Sequence, residues 1–315
     1  MTAQAILHHY PISPFSEKVR VAFGMKKMAW HSVKVPAILP KPEVQALTGG
    51  YRRTPILQIG ADIYCDTALI FDVLEHLQPE PTFYPPHLRG VSRVFAQWAD
   101  GPLFWAAMAY NFQPAGLAQA MAGATPEAMQ AFATDRKAMR TNMTVLRPPD
   151  ATSAYRSYLR RIASMVEEHD FLFGAEPCVA DLSTYHPLWF TRERVPAMAG
   201  ILDGTPAVLE WMDRVAALGH GRSEKLSAED AITVAARAEP LGPQENLLVN
   251  SAFQNDHGIA LGARVTVAPE AFGNEATEGE LMAATRTHYT LRRTDPHAGT
   301  VHVHFPRIGY VLRAA

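Results

Sequence analysis

In the first eighty or so residues, short apolar runs alternate with helical spacings in the order βαβαββα, and a proline-rich stretch then ends the alternation. Residues 5–7 read as a strand, and 14–26 as a helix that stops near Gly24 and the Lys26-Lys27 pair. Residues 30–35 alternate as a second strand, and 43–47 form a short helix ended by Gly49-Gly50. Residues 55–59 and 63–65 make a hairpin through Gly60-Ala61-Asp62. Asp66 then caps a helix over 67–77, with Leu69, Ile70, Val73, Leu74 and Leu77 on one face. Such an order predicts a compact α/β unit.

Residues 78–86 are a polar connector rich in proline, which sets a domain boundary. The spacing from 87 to 219 is helical throughout, with helices expected over 87–110, 126–140, 154–169, 178–191 and 206–218. The first of these should kink at Gly101-Pro102, because proline removes a backbone donor and crowds the preceding turn. Ser227-Ala228-Glu229-Asp230 opens a short helix, and runs at 263–267, 288–292 and 300–305 then alternate as strands. The expected domains are therefore 1–84, an α/β unit; 87–220, all helical; and 221–315, a linker helix with a small mostly-β module.

The net charge of −2 gives no electrostatic case for nucleic acid or an anionic membrane. No apolar run approaches the roughly 18 residues that span a bilayer. The first residues lack a basic segment followed by an apolar core, so no secretory signal is expected and the cytoplasm is the simplest location. Cys65 and Cys178 lie far apart, without metal or redox spacing.

Three places carry chemistry. Ser13 suits a helix N-cap with Pro14 at the first helical position, and a hydroxyl at that positive helix end can hold an anion such as a thiolate. Pro55 opens a strand that is otherwise central, which suits a cis turn exposing the backbone of Thr54. At Asp66-Thr67 a carboxylate, a hydroxyl and free helix N–H groups converge, a fit for the ammonium and carboxylate of an amino-acid head group.

In order and spacing these elements resemble the glutathione-binding domain of soluble glutathione transferases, over residues 5–84, and the helical region to about 220 fits that family's second domain. The resemblance implies a thioredoxin-like first domain, an all-α second domain, glutathione as co-substrate, a small hydrophobic electrophile and a homodimer. It implies that Ser13 stabilises the glutathione thiolate, that Thr54 and Pro55 hold the cysteinyl part, and that Asp66 and Thr67 hold the γ-glutamyl group. Tyr10 is the alternative for the thiol-facing hydroxyl, whereas Ser16 and Cys65 suit packing. Lys41 and Arg53 suit either the glycyl carboxylate or solvated surface. Trp98, Phe104, Trp105, Tyr110 and Phe112 are expected mostly in the core, with a subset lining an apolar cleft for the electrophile.

Val179-Ala180-Asp181 after Cys178 resembles the family's buried N-capping box, with a thiol where a hydroxyl is usual. His302 and His304 share one strand face near His297, an arrangement that can ligate a transition metal. The plainer expectation puts Val301, Val303 and Phe305 on a core and the histidines on solvent or an interface, with no nearby carboxylate and no metal. Beside the enzyme stands a second class of function, a glutathione transferase fold kept as a binding module whose β tail recruits a partner.

Overall fold

A computed structural model describes residues 4–141, 143–242, 247–248 and 252–315. The α/β unit runs β1 (Ile6–His9), α1 (Pro14–Met25), β2 (Ala29–Lys34), α2 (Pro42–Thr48), β3 (Ile56–Ile59), β4 (Asp62–Cys65) and α3 (Thr67–Leu77). β1 pairs parallel with β2 and antiparallel with β3, and β3 pairs antiparallel with β4.

Helices α4 (Arg89–Trp98), α5 (Phe104–Asn111), α6 (Pro114–Ala120), α7 (Pro126–Met139), α8 (Pro148–Val166), α9 (Val179–Trp189) and α10 (Pro206–Ala216) follow. The kink expected at Gly101-Pro102 is a π-helical turn, Ala99–Leu103, which absorbs the missing proline donor without breaking the helix. At the start of α9 both halves of the capping box form, with the Cys178 sulfur in the hydroxyl's place. Asp181 accepts from the amides of Cys178 and Leu172 at 2.9 and 2.8 Å and from Trp211 Nε1 at 2.9 Å.

After α10 come β5 (Arg222–Lys225) and α11 (Ala228–Arg237), then β6 (Arg264–Pro269), β7 (Thr277–Ala284), β8 (His288–Asp295), β9 (Gly299–Pro306) and β10 (Tyr310–Ala314). These C-terminal strands do not form a sheet of their own. β9 pairs in parallel with β4, and one ten-stranded sheet results, in the order β10-β6-β7-β8-β9-β4-β3-β1-β2-β5.

Alternation along each strand sends neighbouring side chains into different cores. Leu7, Leu57 and Tyr64 face α1, α3 and the helical domain, where Phe71, Tyr155, Leu182 and Trp211 are buried with them. On the other face Ile6, Ile56 and Ile63 share a core with Val44 and Leu47 of α2, with Ala231 and Ala235 of α11, and with Val265, Leu281, Val301, Val303 and Phe305 of the tail. Buried aliphatic and aromatic side chains contribute about 1.5–3 kcal/mol each. Separating the tail would expose enough of them to exceed the ~5–15 kcal/mol stability of an ordinary domain, so the tail is a fixed part of the fold.

A glycine records how closely the parts meet. A Cβ placed on Gly50 would lie 2.0 Å from the Ala276 carbonyl oxygen, so the loop before β3 accepts the tail only without a side chain there.

Candidate active site

Ser13 is the N-cap of α1, as its sequence context predicts. Its Oγ accepts from the Ser16 amide at 3.1 Å, its own amide donates to the Tyr10 carbonyl at 3.2 Å, and it is 2% exposed. With Oγ accepting from the helix, the hydroxyl proton is left to point toward an anion. Tyr10 is half-buried, with Lys41 Nζ 5.7 Å from its ring centroid. Ser16 is fully buried, and its hydroxyl has no hydrogen-bond partner among the described residues. Cys65 is fully buried, and burial pushes its thiol well above the usual range, which suits a packed side chain.

The Thr54–Pro55 peptide is cis. Lys41 is buried and donates to Thr54 Oγ1 at 3.1 Å and to the Arg52 carbonyl at 3.2 Å, so Lys41 is not a solvated surface charge. Burial brings its ammonium down to about 8; the Arg136 and Arg52 charges push the same way and Asp135 opposes them. Arg53 is half-buried and donates through Nε to the Phe272 carbonyl at 2.5 Å.

Asp66 caps α3, accepting from the Ala68 amide at 3.0 Å, with φ of +75°. A non-glycine residue pays about 1–3 kcal/mol for such a backbone, a strain found where geometry serves a site. Asp66 Oδ2 accepts from the Tyr310 hydroxyl at 3.0 Å. Thr67 Oγ1 accepts from Lys18 Nζ at 3.1 Å, and Lys18 also pairs with Asp100 Oδ2 at 2.6 Å, while Asp100 Oδ1 lies 3.0 Å from His186 Nε2. Burial alone would raise the Asp100 carboxyl, but Lys18 and His186 hold it below its ordinary value.

The predicted residues, together with Lys18 and Tyr310, thus link in two groups that both return to α1. Ser13, Tyr10, Lys41 and Thr54 connect along one side; Arg53, Tyr310, Asp66, Thr67 and Lys18 along the other. Three of the contributors escaped the sequence reading. Lys18 carried a signal, because it shares the apolar face of α1 with Val21 and Ala22, and a lone cation there calls for a buried partner. Asp100 and Tyr310 carried none, since only the tertiary fold brings them in.

α7 and the tail's 270–276 loop meet over the same side of the α/β unit. Arg52 pairs with Asp135 and with Glu275 at 2.5 Å each, Arg136 donates to the Ala37 carbonyl at 2.5 Å, and the Gly273 amide donates to the Met139 carbonyl at 2.8 Å. Of the aromatic residues weighed for an apolar cleft, Trp105 reaches this junction, 5.1 Å from the Phe272 ring. Trp98, Tyr110 and Phe112 pack within the helical domain against Tyr158, Tyr155 and Phe190.

The expectation for the tail histidines is overturned. β9 is interior to the sheet with both edges paired, and its histidine face is covered at His304, which is 2% exposed with Nε2 2.8 Å from Asp62 Oδ1, the carboxylate that local sequence could not place. His302 Nδ1 is 3.8 Å from the same oxygen. No group of three or more His, Cys, Asp or Glu among the described residues is arranged to hold a metal.

The fold is that of the glutathione S-transferase class. Residues 7–82 match the family model "Glutathione S-transferase, N-terminal domain". A solved GST-like protein from Pseudomonas syringae is 40% identical over 100% of both chains, with a TM-score of 0.81; this chain belongs to the glutathione S-transferase-like family. A curated relative, FtsZ-localized protein A of Caulobacter vibrioides, is 27% identical over 105 residues, 32% of this chain and 46% of that protein. The match therefore spans about half the length of that relative. Rice GST1 in complex with glutathione is 14% identical over 69% of this chain and 87% of its own, with a TM-score of 0.50, a likeness of fold alone.

Proposed function

We propose that this protein binds glutathione and activates its thiol for attack on a small hydrophobic electrophile, or for a glutathione-dependent isomerisation or reduction. The observation that carries the reading is the start of α3, where the strained Asp66 offers a carboxylate and Thr67 a hydroxyl backed by the buried Lys18 ammonium. A zwitterionic γ-glutamyl group suits that combination, ammonium to Asp66 and carboxylate to Thr67. Thr54 and Pro55 take the cysteinyl backbone, Lys41 and Arg53 the glycyl carboxylate, and Ser13 faces the sulfur.

A free thiol of pKa about 8.5 is only a few per cent thiolate at pH 7. One hydroxyl hydrogen bond at a helix N-terminus, lowering it by one to two units, makes roughly a quarter to three quarters thiolate. Ser13 stabilises that thiolate and forms no covalent bond to substrate. Buried, unpaired Cys65 and Cys178 suit a reducing cytoplasm, and a homodimer is carried from the family resemblance.

Calorimetry at millimolar glutathione tests binding, and no heat of binding overturns it. Ser13→Ala is expected to abolish thiolate absorbance of the complex near neutral pH. An unchanged titration there, with a shift in Tyr10→Phe, transfers the role to Tyr10.

A second reading is a binding module without turnover, favoured by the FtsZ-localized relative and by the tail loop lying against Arg53 and Trp105. Glutathione binding without conjugation of any electrophile in a broad panel selects it.

A further inference from the structure

Two opposite charges of the site are each held by the tail. The Tyr310 hydroxyl donates to Asp66 Oδ2 at 3.0 Å, and the Phe272 carbonyl accepts from Arg53 Nε at 2.5 Å. Tyr310 also lies against both charges: its hydroxyl is on Asp66, and its ring centroid is 5.8 Å from the Arg53 guanidinium. Burial works against the Arg53 charge, and the Tyr310, Tyr51 and Asp66 groups outweigh it. Arg53 and Asp66 thus attract each other through space, yet no direct salt bridge joins them among the described residues.

Tyr310 is itself fixed. It is 4% exposed, packs 5.6 Å from the Phe305 ring, and its hydroxyl lies 3.3 Å from that of Tyr51. Tyr310 is the donor in both contacts, and one hydroxyl proton serves one acceptor, so the nearer, charged Asp66 carboxylate takes it ahead of the Tyr51 oxygen. The strands that carry Tyr310 share the core of β1, β3 and β4, so this is a permanent wall of the site and not a plug that swings away.

We propose that Tyr310 is a specificity-determining positioning residue: it aims the Asp66 carboxylate at the ammonium of an amino-acid head group and takes the place of a direct Arg53 ion pair on it, leaving Arg53 for a carboxylate of the same ligand. This rests on the glutathione reading above and adds that the C-terminal strands supply part of the site. The chemistry is ordinary ion recognition. A carboxylate preset by a neutral donor keeps its charge for the ligand, whereas one paired with arginine has already spent it.

The test uses the full chain and two ligands, glutathione and its γ-glutaryl analogue, which lacks the α-ammonium. Wild type is expected to prefer glutathione by about tenfold or more, the worth of a hydrogen-bonded charge. Tyr310→Phe keeps the ring and is expected to weaken glutathione binding five- to tenfold, leave the analogue unchanged, and so erase most of the preference. Tyr51→Phe removes only a competing acceptor of the Tyr310 proton and is expected to keep the wild-type preference. A merely structural role would weaken both ligands alike. A wild-type ratio in Tyr310→Phe, loss of the preference in Tyr51→Phe, or equal losses for both ligands in Tyr310→Phe, overturns the proposal. Absence of glutathione binding by wild type is instead the failure of the glutathione reading, and the proposal falls with it.

Discussion

His304 of β9 and Asp62 of β4 meet through Nε2 and Oδ1 at 2.8 Å, both 2% exposed or less, across the parallel pairing that joins the tail to the α/β unit. His304 Nδ1 lies 2.9 Å from Thr290 Oγ1 on β8, and its ring stacks on Tyr64 with centroids 4.5 Å apart. Asp62 Oδ2 also accepts from the Leu241 amide at 2.8 Å. Two distant segments, β9 and residue 241, are thereby tied to one carboxylate, and β8 joins through His304.

Removing the imidazole leaves that buried carboxylate short of a donor. His304→Phe keeps the stack on Tyr64 and isolates the polar loss, expected at about 1.5–3 kcal/mol. The urea midpoint should fall with little change in slope. An unchanged midpoint means that His304 and Asp62 do not hold the tail.

Lys18 and Asp100 tie the α/β unit to the helical domain from inside. Lys18→Met leaves the half-buried Asp100 carboxylate with His186 alone and is expected to cost about 1.5–3 kcal/mol, with a parallel loss of glutathione binding because Thr67 loses its cation. Asp100→Asn strands Lys18 in turn. The double variant should cost less than the sum of the two, and strict additivity in denaturant titrations would show that the residues do not act as a pair.

Local sequence carried the first domain well. Ser13-Pro14, Gly49-Gly50 and the hairpin at Gly60-Ala61-Asp62 are punctuation whose meaning is set within a few residues. It carried the tail poorly, because strand alternation distinguishes a covered from an open face only when one face is polar. β9 is covered on its apolar face and at His304, and His302 and His304 read as an exposed face when Asp62, some 240 positions earlier, was burying one of them. β7 and β10 were missed for a related reason. Gly279 and the Ala283-Ala284 pair dilute the pattern of β7, and β10 has only five residues, Tyr310–Ala314. At the candidate site, the caps at Ser13 and Asp66 and the cis turn at Thr54-Pro55 were legible because each sits at an element boundary. Tyr310 was not, since nothing in its neighbourhood points to α3.

Buried histidines set the acid limit of stability. Burial brings His8 down to about 4, and His9 and His288 down to about 3, against an unfolded value near 6.5. The unfolded chain therefore binds protons first as pH falls. Stability is fully present above about 6.5 and is lost between there and the folded values, at about 1.4 kcal/mol per pH unit for each histidine. Urea midpoints should drop steeply from pH 6.5 to 4.5. His8→Gln should flatten that slope by close to one proton; an unaltered slope excludes His8 from the effect.

Lys41 gives the site its own pH dependence with the opposite sense. Its ammonium, brought down to about 8 by burial, is about nine-tenths charged at pH 7 and one-tenth charged at pH 9. If the charge holds the glycyl carboxylate, affinity is complete below the folded value and declines above it, close to tenfold between those two pH values. S-methylglutathione is the right probe, because its sulfur cannot ionise and Ser13 drops out of the titration. Lys41→Arg keeps a cation at every pH in this range, so the ratio of wild-type to variant affinity cancels whatever the ligand itself titrates. That ratio is expected to fall about tenfold from pH 7 to 9. A flat ratio assigns Lys41 to bracing Thr54 and the Arg52 carbonyl, with the glycyl carboxylate left to Arg53.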